Sequence, residues 1–307
     1  MDAALVVTQF MNGLQLGVLL FLLASGLTLV FGIMDFVNLA HGSLYMVGAF
    51  ICASLTLWLD SFLLGIVLAI PLVVIVGVLT ELIVVRNLYP RDHLDHVLAT
   101  FGLILCFDEL VQIFWGPEGI AVPLPSWLQG QVEVLPDIVL PSYRLVIIAC
   151  GLLVAGALYY VVNHTRLGML IRAGASNRTM VGALGIDIKT LFTLVFAMGA
   201  AFAGLAGMLI APITEASIGM GNDIIIVAFV VIIVGGIGSM KGAFVAALII
   251  GLIDTMGRSF LDDFFKLFIG DEAAETSAPA VSAMLIYILM AIVLTFRPQG
   301  LFPPKVR

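Results

Sequence analysis

Asp35, Asn38, His41 and Ser43 interrupt an otherwise apolar stretch, FGIMDFVNLAHGSLYMVGAF at residues 31–50. Gly32, Gly42 and Gly48 flank the interruption. A carboxylate, an amide, an imidazole and a hydroxyl set this close can shape or gate a path for polar cargo. Polar groups at membrane depth persist only where protein buries them or a cavity hydrates them. The same residues also fit a tight turn in which Asn38 and Ser43 cap helix ends. Asp35 and His41, with Glu81, Asp108 and Glu109, are the titratable groups a proton-coupled carrier would use. His93 and His96, beside Asp92 and Asp95, have a spacing that could ligate a metal. With Arg91 next to them at a membrane boundary, a solvated loop is the preferred reading. Cys52, Cys106 and Cys150 each sit in an apolar run with no CxxC spacing, as small buried hydrophobes do. No nucleophile–base set stands out, and no GxxxxGK[ST] phosphate loop occurs. The chain therefore reads as non-catalytic, with no cofactor or metal of its own.

Two further segments are unusual. Residues 163–190, NHTRLGMLIRAGASNRTMVGALGIDIKT, are too polar to enter lipid and too patterned for a linker. Arg166, Arg172 and Arg178 alternate there with small and apolar residues. Ser176 is positioned to cap a short helix over 177–184, ended by Gly185. Met180, Val181 and Leu184 would form its apolar face. Such a face suits docking into a groove on a partner; the arginines equally suit lipid headgroups. Residues 231–254 concentrate Gly235, Gly236, Gly238, Gly242 and Gly251, with Ala243, Ala246 and Ala247. Small residues let membrane helices approach closely, and 238–242 breaks the span. The order of features weakly echoes residues 31–50, as an internal duplication would.

The elements that position these residues must be membrane helices. The chain of 307 residues is 62% hydrophobic and 11% charged, with mean hydropathy +1.20. A soluble domain carries about 25% charged residues, so lipid is the main solvent here. Apolar runs fall at 5–33, 43–58, 62–85, 97–115, 145–162, 191–211, 224–237, 243–256 and 281–296. Met1 and Asp2 provide no basic leader, so the first run is expected to persist as a helix. Pro71 is expected to kink the third. The expectation is one domain over 1–307, an all-α polytopic transmembrane bundle of about eight or nine membrane segments, some broken by Gly-rich turns. The formal charge of −7 matters less than its distribution. With the N-terminus outside and the C-terminus inside, ten of the thirteen Lys and Arg fall on the inner side, including Lys305 and Arg307. Arg144, Arg258 and Lys266 fall outside. The outer loop 116–143 is Pro-rich and reads as folded, with a short hairpin over 132–134 and 138–140. RSFLDDFFKLFI at 258–269 reads as an amphipathic interfacial helix, followed by an acidic loop with Asp271, Glu272 and Glu275.

Together, NLAHGSLYMVGAF, RLGMLIRAGASNRTMVGALGID and GGIGSMKGAFVAALIIG resemble, in order and spacing, the permease subunits of branched-chain amino acid ABC importers. The resemblance spans nearly the whole chain. It implies inward transport of branched-chain or other hydrophobic amino acids across a bacterial inner membrane. It also implies a second, related permease, two cytoplasmic ATP-binding subunits that carry the ATP, and a periplasmic substrate-binding protein that meets the outer loops. No nucleic acid is expected. Arg172, Ser176, Met180, Val181, Leu184 and Gly185 become the candidate ATPase-docking set. Asp35, Asn38, His41, Ser43, Gly235, Gly236 and Gly238 become the candidate pathway set. Asp35 and Leu39 depart from the family's usual residues, which leaves urea, short amides or aromatic acids open as cargo. A proton-coupled carrier and a passive channel remain the readings from other classes.

Overall fold

A computed structural model describes residues 3–135 and 138–303. Met1, Asp2, Pro136, Lys305 and Arg307 lie outside the described residues. The described residues are mostly helical: α1 (Ala3–Met34), α2 (His41–Leu59) and α3 (Phe62–Thr80), which passes through a π-helical turn (Glu81–Val85) into α4 (Arg86–Leu88). Then come α5 (His93–Trp115), α6 (Ser142–His164), α7 (Arg166–Ala183), α8 (Ile188–Thr214), α9 (Met220–Gly235), α10 (Met240–Ile269) and α11 (Asp271–Phe296). Eight of these stretches are long and apolar enough to cross a membrane. The 16 residues of α9 rise only about 24 Å, short of a full crossing. The 116–143 segment carries the expected hairpin, β1 (Gln131–Leu135) antiparallel to β2 (Ile138–Pro141).

Helix α1 is the centre of the bundle and the most buried of the eight spans. Lipid gives no hydrophobic drive for helix association, so close backbone approach does much of the work. A β-carbon on Gly17 would lie 2.8 Å from the Leu248 Cα of α10, and one on Gly26 would lie 2.8 Å from the Gly199 carbonyl oxygen of α8. Ile75, Leu98, Leu153 and Ile292 are exposed on α3, α5, α6 and α11, as an apolar solvent requires.

Three expectations are corrected. Residues 258–269 are not a separate interfacial helix; they are the continuous end of α10. Their charges pair along the helix, Arg258 with Asp254 at 2.9 Å and Lys266 with Asp262 at 2.6 Å, so nothing breaks it. Asp271, Glu272 and Glu275 lie not in a loop but in the opening turns of α11, where acids complement the helix dipole. His93 and His96 are not on a solvated loop: they start α5, and His96 is buried.

Candidate functional site

Helix α1 stops at Asp35, which takes a left-handed conformation (φ 54°) and donates its N–H to the Phe31 carbonyl at 2.9 Å. Asp tolerates that conformation better than most residues. The chain then runs non-helically to Ala40. Phe36 is fully buried, its ring 4.3 Å from that of His96 and 6.4 Å from that of Tyr89. The Leu39 N–H donates to the Thr100 hydroxyl at 3.2 Å. Helix α2 opens at His41 without a side-chain cap. Asn38, His41 and Ser43 are each 1% exposed. His41 Nε2 is 3.1 Å from the Leu23 carbonyl, whereas the Asn38 amide and the Ser43 hydroxyl have no hydrogen-bond partner among the described residues. The turn in which Asn38 and Ser43 cap helices is therefore not what forms. Asp35 stands apart from the other three: its side chain is exposed, and its carboxylate lies 3.9 Å from His93 Nε2.

The second break adjoins the first. Gly236 and Gly238 have φ of 105° and 80°, which only glycine adopts without strain. Ser239 then caps α10, accepting from the Gly242 N–H at 3.1 Å. A β-carbon on Gly32, near the end of α1, would lie 2.9 Å from the Gly238 Cα. One on Gly235 would lie 2.4 Å from the Gly242 carbonyl carbon. The C-terminal tail seals this region: the N–H groups of Leu301 and Phe302 donate to the carbonyls of Val234 and Gly235 at 2.8 and 3.0 Å. Sequence reasoning missed the tail, whose only signal is the Val234 and Gly235 carbonyls left free where α9 ends.

The membrane acids are mostly paired. Glu81 is fully buried in the π-helical turn. It accepts from Arg86 Nε and Nη2, both at 3.2 Å, from the Tyr89 hydroxyl at 2.5 Å and from the Thr193 hydroxyl at 2.9 Å. Asp108 accepts from Asn222 at 2.9 Å. The rings of His93 and His96 are 5.6 Å apart, and among the described residues no three His, Cys, Asp or Glu side chains gather as a metal site would need.

Helix α7 bends at Asn177, whose φ and ψ (−156°, 90°) leave the helical region. Helix resumes one residue later than expected, so the cap is Asn177 rather than Ser176: Asn177 Oδ1 accepts from the Met180 N–H at 2.9 Å. Gly185 (φ 87°) closes the short helix, its N–H donating to the Gly182 carbonyl at 3.0 Å. The apolar face is divided. Val181 is buried at 5% exposure, while Met180 and Leu184 project at 58% and 74%. Ser176 is exposed, and Arg172 turns back to the Val162 carbonyl at the end of α6. Arg178 Nη1 donates to the Met34 carbonyl at 3.3 Å. Asp187 caps α8, and the Thr190 hydroxyl and Lys189 N–H that donate to it hold its carboxyl below the usual carboxylate range.

The arrangement is a buried polar break at the end of a central helix, a second break against it, and a surface helix bonded to the same point. Residues 9–294 match the family described as branched-chain amino acid transport system permease components. The chain is 28% identical to the high-affinity branched-chain amino acid transport system permease protein BraD of Pseudomonas aeruginosa, over 95% of this chain and 94% of BraD. It is 29% identical to the corresponding LivH protein of Escherichia coli K12, over 84% of this chain and 88% of LivH. It is 25% identical to the ribose import permease protein RbsC of the same organism, over 76% of this chain and 72% of RbsC. No solved structure matches at a significant level.

Proposed function

This chain belongs to the family of branched-chain amino acid transport permeases and is a multi-pass protein of the bacterial inner membrane, and from that premise we propose that it is the membrane subunit of an ABC importer for branched-chain or other hydrophobic amino acids. The observation that carries the ATP-driven part is the short helix after Asn177, which exposes Met180 and Leu184 while anchoring itself through Val181. Exposed apolar side chains on an otherwise polar segment suit a groove on a partner. In this reading two ATP-binding subunits engage that helix from the cytoplasm, a second related permease completes the pathway, and a periplasmic binding protein delivers cargo to the outer loops. ATP closes the ATPases, and the breaks at 35–40 and 236–239, with Gly32 packed against Gly238 between them, let the helices around α1 tilt about the buried Asn38, His41 and Ser43. Cargo class is the finer point: urea, short amides and aromatic acids remain alternatives to hydrophobic amino acids.

The test is affinity purification of the tagged chain from native membranes in mild detergent, followed by mass spectrometry. The expected result is a second permease and two phosphate-loop ATPases in near-equal amounts. A chain recovered alone or as a homo-oligomer would sink the importer reading and favour the proton-coupled carrier. The pairing of Glu81 with Arg86 and of Asp108 with Asn222 gives that carrier less to work with.

A further inference from the structure

Arg178 opens the short helix that exposes Met180 and Leu184, and its partner, Met34, is the last residue of α1. The next residue, Asp35, is the left-handed one at which the break begins. A helix leaves its last four carbonyls without an internal donor, and a cation there also complements the helix dipole. The guanidinium thus joins the surface helix to the point where α1 gives way to 35–40. A second contact supports it: a β-carbon on Gly174 of α7 would lie 3.5 Å from Ile33 Cγ2. The other side of the break is also tied to this region. Phe36 sits against Tyr89 and His96, Tyr89 donates to Glu81, and Glu81 accepts from Thr193 in the early turns of α8, directly after the surface helix. Both lines of contact leaving residues 178–193 therefore end on residues 34–36.

We infer that Arg178 is a positioning residue for coupling: it holds the end of α1 to the docking helix, so that displacement of that helix reaches the 35–40 break. Arg178 does not itself grip the ATPase; Met180 and Leu184 do. The inference rests on the importer reading. Its mechanical content is that two-state motion of the docking helix biases one identified backbone carbonyl rather than the bundle at large.

The experiment uses the complete complex in liposomes, with cargo uptake and ATP hydrolysis measured on the same preparation. Arg178→Met is expected to keep both ATPases in the complex yet lower uptake per ATP hydrolysed by about tenfold, within the usual range of coupling between sites. Arg178→Lys is expected to recover much of the ratio, since an ammonium can also donate to the carbonyl but lacks the guanidinium's reach and fork. A merely structural role would lower thermal stability in both variants and leave the ratio alone. That result, an unchanged ratio with unchanged stability, or loss of the ATPases from the Arg178→Met complex would each overturn the inference. Absence of ATPases from the wild-type preparation would instead overturn the importer reading, before any variant is compared.

Discussion

Gly42, in the first turn of α2, and Gly221, in the first turn of α9, meet backbone to backbone: a β-carbon on either would lie 2.2 Å from the other's carbonyl oxygen. The opposing atoms are main chain, so no rotamer change can make room. Gly42→Ala or Gly221→Ala should therefore cost about 1–3 kcal/mol of stability by overpacking. Gly102 of α5 is the control, because nothing lies within 4 Å of the position its β-carbon would take. Gly102→Ala should be neutral or stabilising by up to about 1 kcal/mol through helix propensity. Thermal unfolding of the three variants in detergent decides the matter, and equal behaviour of Gly102→Ala and Gly42→Ala would refute the packing argument.

The Glu81 cluster makes a second prediction. Glu81→Ala removes the acceptor shared by Arg86, Tyr89 and Thr193. Buried donors left without an acceptor cost about 1–3 kcal/mol. The pairwise alternative, Glu81→Leu with Arg86→Met, removes charge from both sides and should be milder than Glu81→Ala alone. A double variant less stable than the single would mean that the network contributes by some other route.

The proposal that Met180 and Leu184 dock the ATPase predicts a separation of effects. Met180→Asp with Leu184→Asp places charge only on exposed positions, so the helical content seen by circular dichroism should not change. Recovery of the ATPases with the tagged chain should fall, and uptake with it. Val181→Asp buries a charge instead and should destabilise the fold. Normal uptake by the Met180–Leu184 double variant would remove the docking helix from the mechanism.

Moving the cap from Ser176 to Asn177 is testable by itself. Asn177→Ala loses the bond to the Met180 N–H, a change worth about 1 kcal/mol at a helix start. Ser176→Ala loses no such bond and should be silent. Hydrogen exchange over 178–184 should accelerate only in the Asn177 variant; acceleration in the Ser176 variant would restore the original assignment.

The spans and both glycine-rich breaks were legible because hydropathy and interruption are local properties. The short helix over 178–184 was legible too, though its cap lies one residue later than expected, because Ser176 and Asn177 are both good capping types. The end of α10 was not legible, because the charges of Arg258 and Lys266 look like a helix boundary until their i,i+4 partners, Asp254 and Asp262, are seen to continue the helix. The Arg178–Met34 bond, the Glu81–Thr193 bond and the tail over Gly235 join residues far apart in the chain. No periodicity announces such contacts, and only the fold reveals them.

Ser43 and Ser25 are two buried serines that distinguish a pathway role from a packing role. The Ser43 hydroxyl is buried with no partner among the described residues, a situation that costs about 1–3 kcal/mol. Ser43→Ala removes the unpaired hydroxyl and should leave the unfolding temperature unchanged or raise it. If the hydroxyl serves the pathway, uptake should fall several-fold in the same variant, because polar groups left unpaired at a local cost are expected where function requires them. Ser25 is the contrast. It is equally buried, but its hydroxyl donates to the Leu22 carbonyl at 2.8 Å. Ser25→Ala should lose about 1 kcal/mol of stability and leave uptake unchanged. Measuring uptake and unfolding on both variants gives opposite patterns for a pathway residue and a packing residue. If Ser43→Ala lost stability and kept uptake, Ser43 would belong with Ser25, and the pathway would have to be sought away from the start of α2.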